Sequence, residues 1–573
     1  MTLRIDHGLY PRVANFQYVQ YIKDTGRTYP LHQPIPTSMS SFDNIVAFLS
    51  SHEYETSSAL LYSPLLLVGL AGAAGAYRKV HTNRVDSSSI PPSPPKHWLW
   101  GNKEIMGKPY RHVLLGTKYK HELGDIISTT TLTNTTIYLN TIELATEFLE
   151  KHTSVTSDRP RDVMSQDILG WATSAAFRNH DETHKKMRRV LASALHPTAA
   201  RSYGPQHVET TLDLLREVAS DPTLFMESTN NAVATFAIRL AYGYTPKAQK
   251  DPILPLAQES IRYLGISVSN YWLVNDFPLL KHIPSWLPGA EFQRIGEKGY
   301  RFRKSYADTM FNVVQEQVVQ GRVEQPSYVS GLLESKGGAN ANDDDIYLIK
   351  YTGASIFSAG ASTTAAVVKS FFLMACLYPE AVKRAQAEID SVVGRERIPG
   401  LPDRSDLPYT EALVQEVMRM CPPAPLGLSH LVTEEFEFHG YRIPKGASVN
   451  GNIWAMLRDP NHFVSPHTFD PARFMGPNPE PDPRKYIFGF GRRVCPGLHV
   501  ANNSSWVMCA GLLSVFNFQP GPQLAAKVAS LGGRESEKLY ELTEPYGPGD
   551  PLPFDCELKP RDAAAISLLE NSD

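Results

Sequence analysis

One cysteine stands in surroundings that suit a metal-bound thiolate. Cys495 lies in the run Phe488–His499, which reads Phe-Gly-Phe-Gly-Arg-Arg-Val-Cys-Pro-Gly-Leu-His. The glycines before it allow the backbone to approach a bulky group closely, and Pro496 favours the start of a helix directly after it. If that helix covers Ala501–Phe518, Cys495 lies at a positive helix end, beside two adjacent arginines. Such a site favours the thiolate, and a lone thiolate in an aromatic, glycine-rich loop suits an axial ligand of haem iron.

The rest of the composition excludes several other kinds of protein. The chain has 573 residues and a formal net charge of −3, which argues against a nucleic-acid-binding protein. It contains 5 cysteines, with no Cys-x-x-Cys pair, so a disulfide scaffold and the usual zinc sites are excluded. The four cysteines other than Cys495 are expected to be small buried apolar residues. They are Cys376, Cys421, Cys509 and Cys556.

The cysteine run resembles the haem-binding loop of the cytochrome P450 family, whose pattern is Phe-x-x-Gly-x-Arg-x-Cys-x-Gly. The fixed positions are occupied by Phe488, Gly491, Arg493, Cys495 and Gly497. The resemblance implies a b-type haem as cofactor, with Cys495 as the axial ligand of its iron and with Phe488, Arg493 and Gly497 in contact with it. It also implies a mainly α fold with small β-sheets, in which one large haem domain follows an N-terminal membrane helix.

The resemblance covers nearly everything from Pro91 to Arg561, because three further motifs follow in the family's order. Within the family, the chain is most similar to fungal microsomal enzymes of secondary metabolism, of the O-methylsterigmatocystin oxidoreductase type. The stretches that carry this similarity are Pro402–Pro408, Ile453–Pro460 and Phe488–Gly497.

The second motif is a Glu-x-x-Arg pair at Glu416 and Arg419. Residues three apart share a helix face and can form an ion pair, although such a pair alone is usually a weak surface feature. In the family the two residues join a later arginine, here Arg473, in a buried network near the cysteine loop. The resemblance therefore implies a structural role for all three.

The third motif lies in a predicted helix over Tyr347–Leu377, at the run Ala359–Thr364. The resemblance implies that Thr363 helps to deliver protons to bound dioxygen. Ser362 stands where the family usually has a carboxylic acid. A serine hydroxyl relays a proton through water but is not an acid near neutral pH, so the proton route and the reaction outcome stay open.

The fourth motif, within Asp181–Arg188, places His184 and Arg188 where the family has Trp and Arg in contact with a haem propionate. Histidine also donates a hydrogen bond to a carboxylate, so propionate binding survives the change. His430 matches a second propionate contact. An ordinary buried histidine remains the alternative for His430.

The remaining pattern gives the elements that hold these motifs. Period-two runs rich in β-branched and aromatic residues predict strands within Ile126–Leu139, Phe436–Ile443 and Ser448–Ile453. Apolar periodicity predicts helices over Val208–Ala219, Ala232–Ala241, Tyr347–Leu377 and Pro379–Val393.

The N-terminal part contains an uncharged stretch over residues 58–77, which is just long enough to span a membrane. A buried core helix and, because of three spaced glycines, a nucleotide-binding loop are the alternatives. The basic residues that follow place the downstream chain in the cytosol, which predicts a single-pass protein of the endoplasmic reticulum membrane. The predicted organisation is an extension of unknown role (1–57), the anchor (58–77), a basic and proline-rich hinge (78–97), the haem domain (98–561) and a tail (562–573).

The segment Asn275–Gly289 is apolar and broken by prolines, and it carries Trp286. Two interpretations are open for it. It is either ordinary core or a surface loop that rests on a membrane, where amphipathic aromatic side chains are favoured.

The resemblance implies a monooxygenase that uses O2 and NADPH-derived electrons to oxidise a hydrophobic small molecule, such as a terpenoid or polyketide. The electrons would come from a separate NADPH–cytochrome P450 reductase, with cytochrome b5 as a possible second donor, because the chain has no flavin or nicotinamide motif. Ser362 keeps open a haem-thiolate dehydratase, isomerase or desaturase. A membrane-tethered haem protein without turnover is a third hypothesis, and the presence of Thr363 argues against it.

Overall fold

The computed structural model describes residues 89–98, 100–132, 134–246, 251, 253–546 and 549–571. Helices dominate this part of the chain. The longer ones are α1 (Glu182–Leu195), α2 (Gly204–Ser220), α3 (Phe225–Tyr242), α4 (Ile253–Ser269), α5 (Glu291–Val319), α6 (Tyr328–Ser335), α7 (Asp343–Leu377), α8 (Pro379–Val392), α9 (Pro408–Met420), α10 (Leu498–Val515), α11 (Pro522–Ser530) and α12 (Ala563–Asn571).

Short helical segments connect these elements. Those with α geometry are Lys103–Met106, Arg111–Gly116, Lys118–Leu123, Ile142–Thr146, Thr153–Thr156, Pro197–Ser202, Leu273–Asp276, Ile453–Met456 and Arg484–Ile487. Wider or tighter turns of helix occur at Glu147–Lys151, Val163–Ile168, Trp171–Thr173, Pro222–Leu224, Pro278–His282, Gly338–Asn340, Leu401–Asp406, Pro471–Phe474, Gly491–Arg493 and Glu537–Leu542.

The strands form small sheets at the edges of the helical body. They are β1 (Ile126–Thr130), β2 (Thr135–Leu139), β3 (His430–Leu431), β4 (Phe436–Phe438), β5 (Tyr441–Ile443), β6 (Ser448–Gly451), β7 (Phe516–Pro520) and β8 (Cys556–Pro560). One sheet has the order β1-β2-β6-β3, in which β2 and β6 are parallel and the other pairs antiparallel. The antiparallel pairs β4–β5 and β7–β8 stand apart from it.

The central element is α7, a helix of 35 residues. Asn342 caps its start by accepting the Asp345 backbone N–H at 2.9 Å, and three aspartates fill its first turn, where negative charge is favoured. Its second half, Thr364–Leu377, is buried on every side and packs against α3 and α10. Within the described residues α7 alone is long and apolar enough to cross a membrane, but 83% of its apolar window is buried inside the protein. It is therefore a core helix.

The mainly helical fold with small sheets is confirmed, and so are the four helices predicted from apolar periodicity. The run Ile126–Leu139 contains two antiparallel strands rather than one strand, since the first strand ends at Thr130 and the second begins at Thr135. The predicted anchor at 58–77, the extension before it and most of the hinge lie outside the described residues.

The helix after the cysteine differs from its predicted bounds at both ends. It begins at Leu498, with Gly497 at the capping position, and so Pro496 precedes the helix instead of opening it. It ends at Val515 because the next residues alternate between buried and exposed and pair with β8 as strand β7. The period-two pattern of β7 is short, and because it continues the apolar run of α10, the strand cannot be recognised from the sequence.

Candidate functional site

The cysteine loop, residues 488–497, is held in place by its own backbone and by a neighbouring turn. The Cys495 N–H donates to the Phe488 carbonyl at 2.8 Å, which closes the loop. Gly491 has a φ of +54°, and a Cβ built there would lie 2.5 Å from the Leu149 carbonyl oxygen. Phe490 anchors the loop in the core, since only 3% of it is exposed. The thiol therefore sits on a fixed backbone.

The charges of the protein alone do not convert the Cys495 thiol into a thiolate. Burial raises the pKa of Cys495 above its ordinary value, while the Gly497 N–H and the guanidinium of Arg188 act in the opposite direction. The groups that favour the thiolate are therefore the Gly497 N–H and Arg188 rather than Arg492, which is exposed, and Arg493, which bonds elsewhere, and burial outweighs them. A metal cation would supply the missing charge, since a coordinating thiol is deprotonated outright.

Arg188 links helix α1 to the cysteine loop. Its Nη1 donates to the Val494 carbonyl at 2.8 Å. Asp181 caps the start of this helix, and its Oδ1 accepts the backbone N–H of His184 at 2.7 Å. This cap fixes the register of α1 and thereby brings Arg188 and His184 to the loop.

Arg493 is buried without a carboxylate partner. It is 8% exposed and forms no salt bridge with the described residues. Its guanidinium donates to the carbonyls of Ser157 (2.5 Å), Ala175 (3.3 Å) and Arg178 (2.7 Å). Carbonyl dipoles hold the group in position, and Asp158 and Asp181 favour its charge from a distance without forming a salt bridge with it.

A second buried arginine, Arg159, was not found from the sequence. It is also 8% exposed, and it donates to the carbonyls of Ala176, Leu428 and Ser429 at 2.8–2.9 Å. Burial, reinforced by the charge of Arg493, lowers the pKa of Arg159 to about 9. Nothing in the local sequence marks it, because its partners come from two distant segments.

The two histidines assigned to propionates occupy positions beside these cations. His184 is buried, and its Nε2 accepts an N–H from Arg493 Nη1 at 2.9 Å while its Nδ1 lies 3.1 Å from Nδ1 of His180. In this arrangement Nε2 has no proton to donate to a carboxylate, so His184 positions Arg493. His430 donates from Nδ1 to the Thr156 carbonyl at 2.8 Å, which leaves its Nε2 free of protein partners in the described chain.

These residues fit a haem group. A half-buried thiol, and buried guanidinium groups that form no salt bridge, are the donor set that an iron centre and two carboxylates require. The hydrogen bond from Arg188 to the carbonyl of Val494, which lies between Arg493 and Cys495 in the loop, places this guanidinium beside the cysteine. Arg493 and Arg159 would neutralise the carboxylates, and Cys495 would bind the iron.

The structure brings Glu416, Arg419 and Arg473 together. The Glu416 carboxylate accepts from Arg419 Nε and Nη2 at 2.7 and 2.8 Å, and from Arg473 Nε at 3.2 Å. The Asp470 backbone N–H adds a fourth hydrogen bond at 2.8 Å. Glu416 and Arg419 are completely buried, and the remaining N–H groups of Arg419 donate to loop carbonyls at residues 457, 466 and 468. The network therefore ties α9 to the chain segment before the cysteine loop.

Thr363 lies directly before the fully buried half of α7. Thr363 and Ala359 are exposed and Ser362 is half-buried, whereas Ala361 and every residue from Thr364 onward are buried. Thr363 Oγ1 donates to the Ala359 carbonyl at 2.8 Å, so its lone pairs remain available. Because α7 packs against both α1 and α10, this opening lies on the helix that adjoins the element bearing Arg188 and the helix that follows Cys495.

Comparison with known proteins gives a consistent result. A sequence model of the cytochrome P450 family matches residues 91–530. Cytochrome P450 monooxygenase 208 of Postia placenta is 33% identical over 526 residues, which cover 90% of this chain and 97% of that protein. Cytochrome P450 monooxygenase claR of Ampulloclitocybe clavipes is 33% identical over 492 residues (85% and 89%), and CLM2 of Gibberella zeae is 30% identical over 517 residues (88% and 95%).

Proposed function

The chain belongs to the cytochrome P450 family of oxygen-incorporating oxidoreductases, and we propose that it oxidises a hydrophobic small molecule in fungal secondary metabolism. Terpenoids and polyketides are the substrate classes that we favour. The observation that carries the proposal is the closed loop that holds the half-buried Cys495 thiol beside Arg188, next to the buried Arg493, which has no salt-bridge partner in the described chain.

When bound, haem would supply an iron centre that activates dioxygen with electrons delivered one at a time. The chain's own residues then have distinct tasks. Cys495 holds the metal, Arg188 and Gly497 favour the charged form of its sulfur, and Arg493 and Arg159 bind the carboxylates. Thr363 offers a hydroxyl through which a proton can pass at the opening of α7, and Ser362 can extend that path through water.

A reductase that uses NADPH is the proposed electron donor. Arg492 and Lys485 are exposed on and beside the cysteine loop, so a negatively charged partner could approach the loop from that side. The test of this scheme is to measure whether turnover requires both oxygen and the reductant. A haem-thiolate dehydratase or isomerase would convert its substrate without either.

The experiment that tests the haem assignment compares Cys495, in the loop, with the buried Cys509. Purified wild-type protein is expected to show, after reduction and saturation with carbon monoxide, the red-shifted Soret band of a haem with an anionic sulfur ligand. Cys495→Ser should abolish that band, whereas Cys509→Ser, in the buried face of α10, should keep it. Colourless wild-type protein, or an unchanged band in Cys495→Ser, would refute the proposal.

We also propose that the protein is bound to the endoplasmic reticulum membrane with its catalytic part in the cytosol. The segment Asn275–Gly289 supports this, since Leu279 is 82% and Trp286 is 74% exposed and the segment is therefore not core. Binding of the protein lacking residues 1–77 to liposomes is expected to weaken in the double variant Leu279→Ser and Trp286→Ser. Val464→Ser removes an equally exposed apolar side chain from another loop and should leave binding unchanged.

A further inference from the structure

Two cysteines outside the candidate haem site lie in contact with each other. Cys376 is in the last turn of α7, and Cys556 is the first residue of β8. Their sulfur atoms are 2.9 Å apart, and both cysteines are free thiols in this structure. The two residues are separated by 180 positions in the chain, so only the fold brings them together.

The backbone on both sides of this contact is held in place. Cys376 is 2% exposed, and its thiol donates to the Gln519 carbonyl at 3.5 Å, which joins the end of α7 to β7. Cys556 opens the strand that pairs with β7, and the preceding Asp555 accepts two backbone N–H groups from the start of α11 at 2.7 and 2.9 Å. Because secondary structure fixes both sulfur atoms in contact, a reaction between them needs little rearrangement.

The two thiols differ in their access to solvent. Cys556 is half-buried and Cys376 is buried. The contact with Cys556, together with burial, raises the pKa of Cys376 above its ordinary value. Thiol–disulfide exchange begins with a thiolate that reaches the other disulfide, and a buried thiol with a raised pKa is inert towards reagents in solution. Cys556 is therefore the sulfur that an oxidant reaches first, and Cys376 is the sulfur that reacts with it afterwards.

We propose that Cys376 and Cys556 form a reversible disulfide when the protein meets a disulfide oxidant such as glutathione disulfide. The Cys556 sulfur attacks one sulfur of the oxidant, which gives a mixed disulfide and releases one glutathione thiol. The Cys376 sulfur then attacks Cys556 and displaces the second glutathione thiol. In total the two cysteines lose two protons and two electrons, which reduce one glutathione disulfide to two glutathione thiols. The inference goes beyond the proposed function, since no step needs the haem.

The bond would join α7 to the C-terminal sheet and close a long loop of the chain. This loop contains Cys495 and all three members of the network of Glu416, Arg419 and Arg473. A disulfide removes conformational freedom mainly from the unfolded chain, and it removes more when the closed loop is longer. We therefore expect the oxidised protein to resist unfolding, so that the haem domain is protected when its surroundings become oxidising.

Equilibration of the haem-loaded full chain in buffers with fixed ratios of glutathione to glutathione disulfide tests the inference. Acid quenching, denaturation and alkylation then allow the free thiols to be counted by mass spectrometry. Excess glutathione should leave all 5 cysteines free to be alkylated. Excess glutathione disulfide should remove two of them and yield a digest product in which Cys376 and Cys556 are linked. The urea midpoint of unfolding, followed by tryptophan fluorescence, should be about 1 M higher for the oxidised protein.

The variants are each compared with themselves in the two buffers, which cancels any loss of stability that the substitution itself causes. Cys376→Ala and Cys556→Ala each remove one sulfur, and both should abolish the cross-link and the difference in urea midpoint. Cys509→Ala is the matched control, because Cys509 is a fully buried cysteine of α10. This variant should keep both the cross-link and the difference in midpoint.

Three results for the wild type in excess glutathione disulfide would overturn the inference. These are a full set of free thiols, a reaction that stops at a mixed disulfide on Cys556, and a cross-link through a different cysteine. A link between Cys376 and Cys556 that leaves the urea midpoint unchanged would also overturn it, because the pair would then protect nothing. None of these readings uses the haem spectrum, so the proposed function is tested separately by the reduced, carbon monoxide-saturated protein.

Discussion

Replacing Glu416 by Gln tests whether the buried network holds the haem domain together. The substitution keeps the size of the side chain but removes its negative charge and turns one acceptor into a donor that faces a guanidinium. Arg419 and Arg473 would then be buried against carbonyl groups, with Glu480 as the one remaining carboxylate, on Arg473 alone. Removing one partner of a buried charged network costs about 3–5 kcal/mol.

That loss is large relative to the whole stability of a folded domain, which is about 5–15 kcal/mol. If the free energy of unfolding falls by about 3 kcal/mol per M urea, the midpoint of unfolding should fall by about 1 M or more. The measurement follows the haem Soret band in urea, together with the ratio of haem to protein after purification. We expect both to decrease in Glu416→Gln.

Two matched variants give the scale. Glu480→Gln removes the outer partner of Arg473, which is only partly buried, and should cost less than Glu416→Gln. Glu380→Gln removes an exposed pair with Lys383 and should cost about 0–1 kcal/mol. If Glu416→Gln unfolds at the same urea concentration as Glu380→Gln and contains the normal amount of haem, the network does not have the stabilising role argued here.

Further predictions concern the loop, the α7 opening and acid stability. Gly491→Ala should abolish haem incorporation, because the added Cβ would lie 2.5 Å from the Leu149 carbonyl oxygen. Gly440→Ala is the control, since Gly440 also has a positive φ but open space around it, and it should only lower stability. Equal haem contents of the two variants would contradict this prediction. Thr363→Ala should preserve folding and haem binding but reduce product formed per NADPH consumed, and unchanged product would favour chemistry without oxygen insertion. Burial lowers the pKa of His112 to about 3. Below about pH 6.5 the unfolded chain therefore takes up a proton that the folded chain does not. The free energy of unfolding then falls as the pH drops from about 6.5 towards 3, by up to about 1.4 kcal/mol per pH unit. His112→Gln should therefore show a shallower loss of stability between pH 7 and pH 5 in urea titrations, and an unchanged slope would show that His112 is not buried in its neutral form.

The elements with strong periodicity could be predicted from the sequence. Helices α2, α3, α7 and α8 follow from apolar residues that repeat every three or four positions. The ends of α10 could not be predicted, because its apolar run continues without a break into a strand whose existence depends on pairing with β8, forty residues further on. Local pattern determines which segments are helical, and tertiary pairing determines where they stop.

The candidate site divides in the same way. Cys495, Glu416 and Arg419 belong to short motifs and are recognisable without a structure. Arg159 is not, because an arginine among ordinary residues gives no sign of whether it is buried. It is buried by segments that lie far away in the chain, and only the fold shows that it forms no salt bridge.

The two guanidinium groups beside the cysteine loop also bear on how the protein must be produced. Arg159 and Arg493, each 8% exposed, are costly to bury while neither forms a salt bridge with the described residues. An anionic ligand that binds the folded state alone raises its free energy of unfolding in proportion to the logarithm of the free ligand concentration. The iron and porphyrin precursors available to an expression host should therefore limit the yield of soluble protein more strongly than the amount of messenger RNA does.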